Sequence, residues 1–91
     1  MPTVVHGDFE WDSDKARANV SSHGVTFEEA AVAMTNPMAV DFEDAKYPDR
    51  LITPAASPRD RILYVVTTES GRIISARRAT THERRIYEEG D

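Results

Sequence analysis

The sequence predicts an α+β domain built on a mainly antiparallel sheet. Three observations carry that expectation. Residues 12–37 hold two capped segments with apolar residues at helical spacing. Residues 38–78 hold β-branched runs separated by short polar turns, and Thr80-Thr-His-Glu83 opens a final helix. Ninety-one residues make a single domain, 1–91, with no room for a second core.

Taken in order, the first element reads as a strand from Val5 to Trp11, where Val5, Gly7, Phe9 and Trp11 alternate with His6, Asp8 and Glu10. Asp12 follows as an N-cap, its carboxylate placed to accept from the free amides of the next turn. The helix it starts runs to about Ser22, with Ala16, Asn19, Val20 and His23 on one face. Gly24 fits the left-handed position that ends a helix, and Val25 folds back on the last turn. Thr26-Phe-Glu-Glu29 reads as a capping box in which the threonine hydroxyl and Glu29 satisfy each other's amides. Phe27, Ala30, Ala31 and Met34 form the apolar stripe of this second helix, which Asn36-Pro37 stops. The two helices therefore form a tight hairpin at the N-terminal side of the domain.

The remainder reads mostly as strand. Met38, Val40 and Phe42 alternate with Ala39, Asp41 and Glu43. Residues 44–50 and 54–60, rich in Asp, Pro, Ser and Ala, read as loops around a short strand from Arg50 to Thr53. Ile62 to Glu69 and Arg72 to Arg78 then form a hairpin across Ser70-Gly71, and a C-terminal helix runs from the second capping box through Glu89. The expected sheet has four to five strands. One face packs on helices and the other stays open to solvent or a ligand.

Composition narrows the function. A chain 40% hydrophobic and 30% charged is an ordinary soluble globular protein. No apolar run approaches the ~18 residues of a membrane span, and MPTVVHGDFEWD lacks the basic start and apolar stretch of a signal peptide, so the cytoplasm is the expected compartment. There is no cysteine, hence no disulfide or thiolate metal site. His6, His23 and His82 share no metal-ligand spacing, so neither metal nor cofactor is expected. The net charge of −5 argues against a simple nucleic-acid binder, but its distribution is uneven. Residues 1–49 carry three Lys/Arg against ten Asp/Glu, whereas residues 50–91 carry eight arginines against six acids. One basic working face follows, with the acidic half turned elsewhere or toward a basic partner.

FEWD at 9–12, Lys15, Asn19, HGV at 23–25, FEEA at 27–30 and RIISARRAT at 72–80, followed by Glu83-Arg84 and Tyr87, resemble the BrnT family in order and spacing. The resemblance spans roughly residues 9 to 88. It implies a RelE-like fold and a ribonuclease toxin of a type II toxin–antitoxin system, which cleaves cellular RNA and stops growth. It also implies a cognate DNA-binding antitoxin, with DNA contacted only through the complex and no membrane partner. The chain departs from the family pattern at Ser22, where a lysine is usual, at the short Ser70-Gly71 turn, and at Arg59-Asp60-Arg61, where a glycine-arginine lead is usual.

Metal-independent RNA cleavage needs a base for the ribose 2′-hydroxyl, cations for the charge building on phosphorus, and an acid for the leaving oxygen. Arg77 and Arg78 suit the middle role, since a planar guanidinium matches phosphate oxygens bidentately. They point to opposite faces, so one faces the open side while the other reaches around an end or pairs with an acid. Arg50 adds a cation at a sheet end. His23, Lys15 and Glu69 are the candidates for moving protons. His23 has an equally good structural account, donating to the last carbonyls of its helix. Glu69 is expected to pair with Arg72 across the hairpin, and Glu83 to cap its helix. Arg72, Arg84 and Tyr87 are candidate RNA contacts, Tyr87 either packing on the sheet or stacking on a base. The alternative to an enzyme is a catalytically weak or inactive module of the same fold, acting through antitoxin binding and operon control.

Overall fold

The structure, a computed structural model, describes residues 2–89. The chain opens on a β-hairpin, β1 (Thr3–His6) and β2 (Phe9–Asp12), and only then enters α1 (Ser13–His23) and α2 (Phe27–Met34). Four strands follow, β3 (Phe42–Glu43), β4 (Arg50–Ala56), β5 (Ile62–Thr68) and β6 (Ile73–Arg78), before α3 (Thr81–Glu89). The four make one antiparallel sheet in the order β3-β4-β5-β6, apart from the two-stranded β1–β2 sheet. The α+β class and antiparallel pairing stand. The N-terminal helical hairpin and the RelE-like arrangement do not, because a β-hairpin precedes the helices.

Gly7 explains the first correction. It adopts φ 63° at the first central position of a two-residue turn, where a hairpin needs a residue free to take positive φ. The turn pairs His6 with Phe9 and Val4 with Trp11, so the apolar face carries Val4, Phe9 and Trp11 while Val5 points to solvent. Period two had run straight through the turn.

α1 and α2 follow local rules closely. The Asp12 carboxylate accepts from the amides of Asp14 (2.8 Å) and Lys15 (3.3 Å), and Gly24 ends α1 in the left-handed region. Val25, Phe27, Ala30 and Ala31 are buried as their spacing requires. On α1, only Asn19 is buried, whereas Val20 and His23 are exposed, so the apolar face is narrower than the i, i+3, i+4 pattern suggested. The core closes around Trp11, which meets Phe27 edge to face at 5.8 Å, with Leu63, Val65, Ile73 and Ala76 supplied by the sheet.

β4 runs three residues past Thr53. Pro54 is tolerated there because β3 pairs only with Leu51 and Ile52, which leaves β4 as an edge at Pro54. Of the strand expected over Met38–Glu43, only Phe42 and Glu43 pair. The turn from Ser57 to Arg61 places Asp60 at φ 59°, the position where a glycine would be unstrained. The β5–β6 connection is Glu69-Ser70-Gly71-Arg72, two residues longer than expected. Gly71 has φ 93°, and a Cβ there would stand 2.8 Å from the Asp8 carbonyl oxygen, so the β1–β2 hairpin packs where only glycine fits. Glu10 bridges to Arg72 beside it, and its amide donates to the Gly71 carbonyl at 3.1 Å.

The outer edge of β6 is closed by a side chain. In an antiparallel pair, alternate residues turn N–H and C=O away from the partner strand. At Ala76 both are taken by Asn19, whose Nδ2 donates to the Ala76 carbonyl (2.8 Å) and whose Oδ1 accepts from its amide (3.1 Å). Nδ2 also donates to the Val25 carbonyl at 2.9 Å, tying α1, the turn after it and β6 together immediately before Arg77.

Candidate functional site

Cross-strand register assigns the two strand-end arginines to opposite faces. Arg77 lies in the row Pro54–Tyr64–Arg77 on the face away from α1 and α2, and Arg78 in the row Ala55–Leu63–Arg78 on the helix-covered face. Arg77 does both things foreseen for separate residues. It faces the open side, and it pairs with an acid. Its guanidinium sits 4.9 Å from the Tyr64 ring centroid, and Nη1 and Nη2 donate to the two oxygens of Glu83 at 2.8 and 2.9 Å. Arg78 is exposed at the strand end, with no side-chain partner among the described residues.

Glu83 has two roles at once. It completes the capping box of α3, accepting from the Thr80 amide (2.9 Å) while the Thr80 hydroxyl accepts from the Glu83 amide (3.1 Å). The same carboxylate fills the Arg77 fork, and that bond, aided by the Thr80 amide, lowers its pKa to about 2. Burial, with the Glu83 charge next, pushes the Tyr64 phenol up, so it stays protonated. Around neutrality the cluster holds a carboxylate, a guanidinium and a neutral phenol, with the carboxylate occupying the Arg77 fork.

A pH dependence follows. Because folding lowers the Glu83 pKa from 4.5 to about 2, the clamp's contribution is complete above pH 4.5 and is lost as pH falls toward 2. Arg77 is 43% exposed, so solvent screening limits the contribution to about 1–2 kcal/mol. Acid titration followed by circular dichroism should show a loss of helix in this window that Glu83→Gln removes.

The other candidates fall into two groups. Arg50, opposite Thr68, Glu69 in the turn, Arg72 and Lys15 in the first turn of α1 lie toward one end of β6. Arg77, Arg78, Arg84, Tyr87 and His23 lie toward the other. The placement of His23 follows from Asn19 bonding Ala76, and from Arg61, two residues before the Leu63 partner of Arg78, donating to the Gly24 carbonyl at 2.9 Å. Arg72 and Arg78 stand six strand residues apart, roughly 20 Å, and Lys15 and His23 eight helical residues apart, roughly 12 Å. Glu69 is exposed and does not pair with Arg72, which bonds Glu10 at 2.7 Å because the β1–β2 hairpin abuts the turn. Arg50 stacks over Tyr47 at 4.6 Å. Arg84 pairs with Glu88 one turn along α3. The His23 side chain makes no hydrogen bond among the described residues, so the carbonyl-donating role is not what the structure shows.

Two features escaped the sequence reading. The Glu29 amide donates to the Thr26 hydroxyl (3.0 Å), but the Glu29 carboxylate turns to Arg61, at 2.6 and 2.8 Å. The open face of the sheet is also apolar rather than basic: Phe42, Ile52, Pro54 and Tyr64 form a floor that faces Ile86 and Tyr87 of α3 across a groove of about 750 Å3. Tyr87 thus lines the groove. The signal for that face was present in Ile62-Leu-Tyr-Val-Val66, apolar on both sides of the strand.

No helix among the described residues is long and apolar enough to cross a membrane. A family model described as ribonuclease toxin, BrnT, of type II toxin–antitoxin system matches residues 11–83. The crystal structure of the Brucella abortus ribonuclease toxin BrnT is similar, with a TM-score of 0.64 and 25% identity over 78% of this chain and 94% of that one. No curated protein matches the chain.

Proposed function

Because the chain belongs to the BrnT family of ribonuclease toxins of type II toxin–antitoxin systems, we propose that it is a cytoplasmic endoribonuclease. It cleaves RNA without metal and thereby inhibits translation and growth. Its antitoxin is a DNA-binding protein, and DNA is reached only through their complex. What supports this assignment is that Arg77, Arg78 and the C-terminal end of α1, which carries His23, lie toward the same end of β6, the two arginines on opposite faces of the sheet. Arg78, exposed and without a side-chain partner among the described residues, supplies a cation for a phosphate, His23 is the candidate for moving protons, and Arg77 is the second fork once Glu83 yields. Arg84 serves as an outer RNA contact. Arg50, Glu69 and Arg72, toward the opposite end of the sheet, are left out of that phosphate site, and Lys15, earlier on α1, serves as an outer contact.

The test is induction of the protein in cells, with cleavage of RNA by purified protein in the presence of a chelator. Wild type should arrest growth and cut RNA. Arg78→Ala should reduce cleavage about 100-fold or more, in line with removal of one transition-state donor, while the circular dichroism spectrum is kept. Harmless wild-type protein that leaves RNA intact would dismiss the enzyme reading. A second reading, a non-catalytic module working through its antitoxin, is favoured by one observation: the Glu83 carboxylate already fills the Arg77 fork.

A further inference from the structure

The groove between α3 and the open sheet face is unlike the rest of the surface. Met38 is 74% exposed, Val40 58%, Phe42 57% and Ile86 38%, and they form a continuous wall and rim above Ile52 and Tyr64. Contiguous exposed apolar surface of this kind marks an interaction site. α3 contributes Ile86 and Tyr87 to it yet has no buried residue of its own, so this wall of the groove is held by the Arg77–Glu83 clamp rather than by packing.

The lining identifies the occupant. RNA fits poorly, because among the described residues the one charged side chain lining the groove is Glu88, whose exposed pair with Arg84 is weak enough to be exchanged, and the nearby cations Arg77 and Arg50 are engaged by Glu83 and Tyr47. A second copy fits poorly as well, since it would bring another chain of net charge −5, with its own Glu88, against the same acid. β3 is too short to template strand addition, which leaves side chains filling the groove as the mode of binding. Resting on the toxin–antitoxin reading, we propose that this groove receives an amphipathic segment of the antitoxin, with apolar side chains on Ile52 and Tyr64 and a lysine or arginine meeting Glu88. Seated there, the segment covers Tyr64 and holds α3 closed. Glu83 then stays on Arg77, and binding of the protein partner opposes binding of phosphate.

The test uses the full chain and the antitoxin encoded beside it, with affinity measured by calorimetry. Met38→Glu combined with Val40→Glu should weaken binding about 30-fold or more, as expected for a charge placed in an apolar anchor site. Glu88→Lys should weaken it about tenfold by reversing one charge contact. Val20→Glu, on exposed α1 surface, is the matched control and should bind like wild type. Hydrogen exchange of the wild-type complex, which needs no variant to fold, should show new protection over residues 38–42 and 86–88. Unchanged affinity in the groove variants, or protection confined to α1, overturns the proposal while leaving the toxin–antitoxin reading intact. Wild-type protein that binds no neighbouring antitoxin overturns both. Loss of RNA binding or of self-association in the groove variants, with antitoxin affinity unchanged, assigns the groove to those occupants instead.

Discussion

Asn19→Leu should destabilise the protein by about 3 kcal/mol, because it leaves buried backbone groups without partners and each costs about 1–3 kcal/mol. Three groups are affected: the amide and carbonyl of Ala76 and the carbonyl of Val25. Leucine has the branching and heavy-atom count of asparagine and is no smaller, so the loss does not report a cavity. Asn19→Asp is the sharper control. It keeps the acceptor for the Ala76 amide but sets a carboxylate against two carbonyls that had received Nδ2, and should be no more stable than the leucine variant. Urea denaturation gives the free energies, and hydrogen exchange at Ala76 gives the local effect. Since Arg77 and Arg78 directly follow Ala76, exchange should rise at this end of β6 even where the variant remains folded.

Asn19 also shows where reading the sequence succeeds and stops. Its position on the inner face of α1 was legible, as were both helix caps, the left-handed Gly24 and the Thr80–Glu83 box, because each is set by residues within one turn. What Asn19 binds was not, since Ala76 lies 57 residues away and nothing near it in sequence names a partner. The same limit explains the redirected acids. Glu29 and Glu83 occupy equivalent positions in two capping boxes, yet only Glu83 closes its box, because Arg61 reaches Glu29 from the turn before β5. Arg72 leaves Glu69 for Glu10 because Gly71 lets the first hairpin come close. Period two failed at Gly7, where a turn preserves the alternation of residue types while reversing the chain, and loop composition misled at Pro54, which a short neighbour strand leaves harmless. The candidate site was legible as residue types. Its division between the two ends of β6 was set by register, which the sequence does not display.

Arg61→Leu should cost about 3–5 kcal/mol, the price of stranding one member of a buried ion pair. Glu29 keeps only 6% of its side chain exposed and Arg61 16%, and the pair is bidentate at 2.6 and 2.8 Å. Arg61 additionally donates to the Gly24 carbonyl, so its removal frees the end of α1 that carries His23. In the intact protein, the Arg61 bond is the leading cause that lowers the Glu29 pKa below 4.5, opposed by burial. That contribution is complete above pH 4.5 and is lost on acidification. Without Arg61, only Ser57 and the Arg59 charge at 4.0 Å remain to oppose burial and the pKa rises, so the stability gap between Arg61→Leu and wild type should narrow as pH falls below 4.5. Combining Glu29→Leu with Arg61→Leu removes both charges together. The double variant should recover most of the loss, because two apolar side chains of similar reach replace a pair whose attraction largely offsets its own desolvation. Thermal denaturation of the four proteins completes the cycle. A double variant no more stable than Arg61→Leu alone would mean that the Gly24 contact, not the stranded carboxylate, is what the arginine supplies.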